Sequence, residues 1–278
     1  MTFTSKQPGP IGVFDSGYGG LTILKELQKE LPEYDYLYLG DNARAPYGNR
    51  SYETVYQYTL ECVKHLFEMG CHLIILACNT ASAKALRTIQ QNDLNKIDPN
   101  RRVLGVIRPV TEIIENFTKT KHIGILGTKG TIESNSYPIE ISKFFPHIKV
   151  YQEACPMWVP LVENNEFNNV GADYYIKKNT ENLLRQSSKI DTVILGCTHY
   201  PLLIEKISRA LPSGITIVSQ GEIVAKSLKD YLTHHPEIDA MCSKNGQSNF
   251  LTTDSTDNFN EKASIFLGKT IKSSHLNL

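Results

Sequence analysis

The chain has 278 residues, 41% of them hydrophobic, enough to bury a substantial core in one large or two medium domains. Lys and Arg total 29 and so do Asp and Glu, so no field of one sign exists to recruit nucleic acid or an anionic membrane, and a small-molecule partner is expected. The polar start MTFTSKQPGP has no apolar export core, and no apolar run nears the roughly 18 residues of a spanning helix, so a soluble, cytoplasmic protein without membrane contact is expected.

In chain order, short apolar runs that end in Gly or small polar residues alternate with stretches of helical period, the pattern of repeated β-α units. The runs are Ile11 to Phe14, Tyr36 to Leu39, Leu73 to Ala77, Val103 to Ile107, Ile123 to Leu126, Lys149 to Gln152, Thr192 to Leu195 and Thr216 to Val218. They predict an α/β protein with parallel strands, eight in two sets of four.

The two sets resemble each other at their strand ends. IGVFDSGYGG aligns with IGILGTKGT, pairing Gly12 with Gly124 and Ser16 with Thr128, 112 positions apart. Asp41 and Pro46 stand 114 positions before Cys155 and Pro160, and LIILACNT aligns with TVILGCTH, setting Cys78 against Cys197 at an offset of 119. Nearly constant offsets point to duplication and a pseudo-two-fold pair of α/β domains with the active site in the cleft between them. The expected domains are 1–107 plus 219–278, and 108–218. The last part, helix-like over Glu222 to Leu232 and over Glu261 to Leu267, has no counterpart in the second copy and is expected to return to the first domain.

Six cysteines are spread through the chain without Cys-x-x-Cys or His-x3–5-His spacing, so reduced thiols are expected, with neither a disulfide framework nor a metal site. Cys62, Cys71 and Cys242 suit inert core positions. Cys78 and Cys197 differ, because both follow a parallel strand, where ligands bind beside helix N-termini and a thiol can be activated. Two equivalent acid-base groups on opposite walls of one cleft fit a reaction whose substrate and product are mirror images. One wall removes a proton and the other supplies one, and racemisation at Cα is that reaction.

Other candidates surround this pair. Asp15 and Ser16 follow the first strand, where Asp15 can serve Cys78 and Ser16 a substrate carboxylate, or either can cap the helix near Gly20. His199 lies two residues past Cys197 and can serve that thiol. Asn79, Thr80 and Thr198 offer amide, hydroxyl and backbone donors, though each also suits a helix cap. Tyr47 and Gly48 form a turn after the second strand. Glu163 reads as a surface acid, and spacing alone ranks neither Asp41 nor Cys155.

Together FDSGYGG, GDNARAPYG, ACNTASA, GTKGT, VPLVE and GCTHYPLL, in this order and across nearly the whole chain, closely resemble the glutamate racemase family, within the wider aspartate/glutamate racemases. The resemblance implies a two-domain α/β enzyme that needs no pyridoxal phosphate or other cofactor, interconverts L- and D-glutamate, and supplies D-glutamate for peptidoglycan. It implies that Cys78 deprotonates the D-isomer and Cys197 the L-isomer, with Asp15 and His199 assisting. Ser16, Tyr47, Gly48, Asn79, Thr80 and Thr198 match substrate-binding positions, Asp41 and Glu163 match acids in or beside the site, and a homodimer is the assembly to expect. Tyr18 stands where a smaller residue is expected, Arg108 where an acid is, and TTDST at 252–256 lacks a glycine, departures that bear on regulation and cleft access.

Three alternatives remain on sequence grounds. A racemase or isomerase acting on a shorter diacid, of the aspartate or maleate type, would use the same walls. A thiol phosphatase would read Cys78 to Lys84 as its loop but needs arginine in the last place. A non-catalytic protein closing on an amino acid would not need paired thiols.

Overall fold

The computed structural model describes residues 7–278, so Met1 to Lys6, the first part of the polar start considered above, lie outside the described residues. Among the described residues, ten strands form two entirely parallel sheets. They are β1 (Ile11–Asp15), β2 (Tyr36–Gly40), β3 (Leu73–Leu76), β4 (Arg102–Gly105), β5 (His122–Gly127), β6 (Lys149–Ala154), β7 (Thr192–Gly196), β8 (Thr216–Val218), β9 (Ser248–Thr252) and β10 (Ser273–His275). The first sheet has the order β10-β9-β2-β1-β3-β4 and the second β6-β5-β7-β8. The run β2-β1-β3-β4 therefore repeats, strand for strand, as β6-β5-β7-β8, the topology of two similar α/β domains.

Two details differ from the sequence reading. The sheets hold six and four strands rather than four each. In β9 only Phe250 and Thr252 are buried, and β10 buries none of its three residues, so neither carries the apolar run that marks a strand. Main-chain pairing holds them instead, β9 beside β2 and β10 beside β9. Ile107 begins the helix Ile107–Ile113 rather than ending β4.

The strands expose alternate faces to different cores, as a period of two requires. Ile11, Val13, Leu73 and Ile75 enter a central core shared with Val193, Leu195 and Leu126 of the second sheet. Phe14, Ile74 and Leu76 face an outer layer with Val55, Val63 and Leu66, while Ile123, Ile125 and Ile194 face a third layer with Val110 and Ile141. Each such side chain contributes roughly 1.5–3 kcal/mol on burial. Because the central core takes residues from both sheets, the halves pack as one body along that seam.

Helices close the seam. Leu21–Glu30 follows β1 and packs on Gly221–His234, whose buried Val224, Ala225, Leu228 and Leu232 lie at helical spacing on one face. The returning chain is clasped by Asp35, whose carboxylate accepts from Ser243 Oγ at 2.6 Å, Asn245 Nδ2 at 2.7 Å and the Gln247 amide at 2.9 Å. These bonds, together with β9 beside β2, tie the C-terminal segment to the first sheet.

Candidate active site

β3 and β7 are buried along their whole length, and the chain leaves each through a small residue, Ala77 or Gly196, before a cysteine. Cys78 thus occupies the cap of the helix Asn79–Lys84, with its Sγ accepting from the Ala81 amide at 3.4 Å. Cys197 stands at the matching place after β7, ahead of the turn Tyr200–Leu203. The thiols are only 6% and 5% exposed, yet both line one cleft. The same cleft is lined by Asp15, Ser16, Tyr47, Gly48, Asn79, Thr80, Glu163, Thr198 and His199.

Each thiol has its own set of neighbours. Ser16 Oγ lies 3.4 Å from Cys78 Sγ. Asp15 accepts from the Gly17 amide at 2.9 Å through Oδ2, while its Oδ1 is buried without a protein partner. Gly20 is the cap residue of the helix Leu21–Glu30, and its amide also donates to the Asp15 carboxylate. Burial pushes the Asp15 carboxyl above its usual range, with His199 pulling against that shift. Burial, followed by the Asp15 charge, pushes the Cys78 thiol up to about 12.

On the facing wall the order of charges is reversed. His199 Nδ1 lies 3.8 Å from Cys197 Sγ, and its Nε2 lies 2.9 Å from Glu163 Oε1. Burial alone would lower the imidazole, but Cys197 and Glu163 outweigh it and hold His199 up to about 10, so the ring carries a proton at neutral pH. A cation stands beside Cys197 and an acid beside Cys78.

Close approach of the halves depends on Gly19. A Cβ there would fall 2.3 Å from Thr198 Oγ1 and 2.4 Å from His199 Nδ1, so any side chain would displace the second wall. Thr22 reinforces the contact by donating its hydroxyl to the Thr198 carbonyl at 3.0 Å. Thr80 meets Thr128, the counterpart of Ser16, with 2.9 Å between hydroxyl oxygens. Thr128, which the sequence marks only by its place in the repeat and within GTKGT, lines the cleft as well.

Of the candidates, Asp41 and Cys155 do not line the cleft, and Asp41 stands just behind it. It is fully buried behind Tyr47, whose hydroxyl donates to it, and it also accepts from Arg44 Nε at 2.7 Å and Thr253 Oγ1 at 2.9 Å. Cys155, its repeat counterpart, is buried and pushed well above the usual thiol range by desolvation. Tyr18 stacks between Phe259 and Phe266 at 5.5 and 6.2 Å, Phe266 meets the His199 ring edge-on at 5.5 Å, and Arg108 pairs with Glu112 on the surface. Among the described residues, no group of three or more His, Cys, Asp or Glu could hold a metal ion, and no helix is long and apolar enough to cross a membrane.

The family model of the Asp/Glu/Hydantoin racemases matches residues 20–228. Glutamate racemases from Persephonella marina and Listeria innocua are 38% and 40% identical to this chain, over 96% and 92% of it and 97% and 93% of their own lengths. The chain belongs to the glutamate racemase family. Solved glutamate racemases agree: an isoform from Bacillus anthracis has a TM-score of 0.88 at 36% identity, covering 97% of this chain and 98% of its own. The Francisella tularensis glutamate racemase in complex with D-glutamate has a TM-score of 0.85 at 31% identity, covering 97% of each chain. An aspartate racemase from Picrophilus torridus, 17% identical with a TM-score of 0.54, shares the fold alone. As a member of the glutamate racemase family, the protein is an amino-acid racemase.

Proposed function

We propose that the protein interconverts L- and D-glutamate by a two-base mechanism in which Cys78 and Cys197 act on opposite faces of Cα. The observation that carries this reading is the placement of two thiols at equivalent strand ends on the walls of one cleft, each beside its own ionisable partner. Glutamate as the substrate is supported by the full-length relatives and by the relative solved with D-glutamate.

In the L-to-D direction, Cys197 takes the Cα proton as a thiolate stabilised by the His199 imidazolium, and Cys78 delivers its proton to the opposite face. The reverse direction exchanges these roles. A Cα–H bond is a weak acid, so the charge that develops on the α-carboxylate needs preorganised donors. Ser16, Thr80, Thr198 and the Gly48 amide are the groups available around the cleft. The functional units are residues 1–107 with 219–278, and 108–218, and the D-glutamate formed serves peptidoglycan synthesis.

The test is isotope exchange. Either glutamate enantiomer, incubated with purified protein in D2O without pyridoxal phosphate, should gain deuterium at Cα and yield the other enantiomer. Turnover of aspartate with none of glutamate would overturn the substrate assignment.

A further inference from the structure

Tyr137 belongs to the second half of the chain, yet its hydroxyl reaches a residue of the first. The ring is fully buried and packs against the backbone of Gly196, where a Cβ would lie 3.2 Å from the Tyr137 Cε2. Its oxygen accepts from Asn79 Nδ2 at 2.9 Å, and the side-chain amide of Gln220 reaches the same oxygen. Asn79 and Gly196 are the residues next to Cys78 and Cys197. One phenol thus touches the neighbours of both thiols.

Gln220 adds a third connection. It lies just after β8, where the chain returns towards the first half, and its Nε2 lies 3.4 Å from the carbonyl of Val106, just after β4, where the chain crosses outward. The row Val106, Gln220, Tyr137, Asn79 therefore runs from the two crossovers into the cleft. Asn79 is 2% exposed and lines that cleft, and its Oδ1 is buried without a protein partner. A buried amide oxygen left unpaired is costly unless a ligand pairs with it. With Nδ2 held by Tyr137, this oxygen is the face of Asn79 left for a ligand donor, and the ammonium group of an amino acid supplies one.

We propose that Tyr137 is a positioning residue for racemisation: its hydroxyl, steadied by Gln220, holds the Asn79 amide so that Oδ1 receives the substrate ammonium. This rests on the glutamate reading above. Tyr137 itself touches neither the substrate nor the proton in flight. Its removal therefore acts through binding geometry, and the chemistry of the thiols is untouched.

Tyr137→Phe deletes the hydroxyl and keeps the ring. The expected result is a roughly tenfold rise in KM for both glutamate enantiomers and a matching rise in the calorimetric Kd for D-glutamate, with kcat changed less than about threefold. Tyr137→Phe should have no further effect on that Kd in an Asn79→Ala background, because the pair acts as one unit. Gln220→Met removes only the outer support and should raise KM in the same direction by a smaller factor. A purely structural role would lower thermal stability and the active fraction while leaving KM and Kd unchanged, and that outcome would overturn the proposal. So would additive losses in the double variant. If the unsubstituted protein racemises neither enantiomer, the glutamate reading fails, whereas normal activity with an unaltered Tyr137→Phe enzyme removes only the role given to Tyr137.

Discussion

His199 Nε2 lies 2.9 Å from Glu163 Oε1, which joins residues 36 positions apart and turns the other ring nitrogen towards Cys197. The imidazolium of this pair is the positive group beside Cys197. It also makes that wall the more sensitive one to alkali.

Glu163→Gln keeps the shape of the acid and removes its charge. His199 is held at about 10, above its ordinary 6.5, so its stabilising contribution is fully present below about 6.5 and is lost as pH rises through about 10. The melting temperature of the unsubstituted protein should therefore fall across that window, and the variant should start lower and fall less. The alkaline limb of its activity should move to lower pH. Identical melting profiles for the two proteins would refute the coupling.

Cys78→Ala and Cys197→Ala should each lower racemisation by about 10³-fold or more, since neither half-reaction can be omitted. The enantiomers have equal free energies, so kcat/KM must be the same in both directions for every variant. Asymmetry between the walls can therefore appear only in kcat and KM taken separately, or in exchange without inversion. In D2O, Cys78→Ala should retain Cα exchange on L-glutamate, and Cys197→Ala on D-glutamate, because each keeps the base facing that hydrogen. Exchange with the opposite preference would reverse the assignment of the walls.

Asp41→Asn should destabilise the protein by roughly 1.5–3 kcal/mol, the range for hydrogen bonds to a charged group, because the buried carboxylate holds Tyr47, Arg44 and Thr253 together. Tyr47 lines the cleft, so KM should rise while kcat stays within a few-fold. Urea unfolding with steady-state kinetics checks both parts, and a large loss of kcat at constant KM would instead make Asp41 part of the chemistry.

Asp191 should matter for stability alone. Although burial opposes ionisation, donation from the Thr118 hydroxyl and the amides of Lys119 and Thr120 holds the carboxyl down at about 2. Its contribution is present above the ordinary value near 3.8 and is lost as pH falls through about 2. Asp191→Ala should cost about 1–3 kcal/mol at neutral pH with unchanged kcat and KM. The difference between the two proteins should shrink in acid unfolding, and a constant difference down to pH 2 would contradict this account.

Much of the architecture is local and therefore legible in the chain. The apolar runs of β1, β3, β5 and β7 announce themselves because a strand buried on both faces has no polar face to interrupt it. Cys78 and Cys197 stand out because each directly follows such a run. β9 and β10 escaped notice because hydrogen bonds to a neighbouring strand, rather than apolar content, hold them in place.

The sequence by itself determined the α/β class, the repeat, and the two thiols at strand ends, since all of these follow from periodicity and from residues adjacent along the chain. Only the tertiary structure decided that Glu163 completes the Cys197 wall, that Asp41 stands behind Tyr47 outside the cleft, and that Tyr137 and Gln220 reach Asn79. The Tyr137–Asn79 bond depends on where the two halves meet, and the Glu163–His199 contact on how the helix Trp158–Glu163 packs beside the turn Tyr200–Leu203. Side chains distant in sequence become partners there because packing, not spacing, sets their separation.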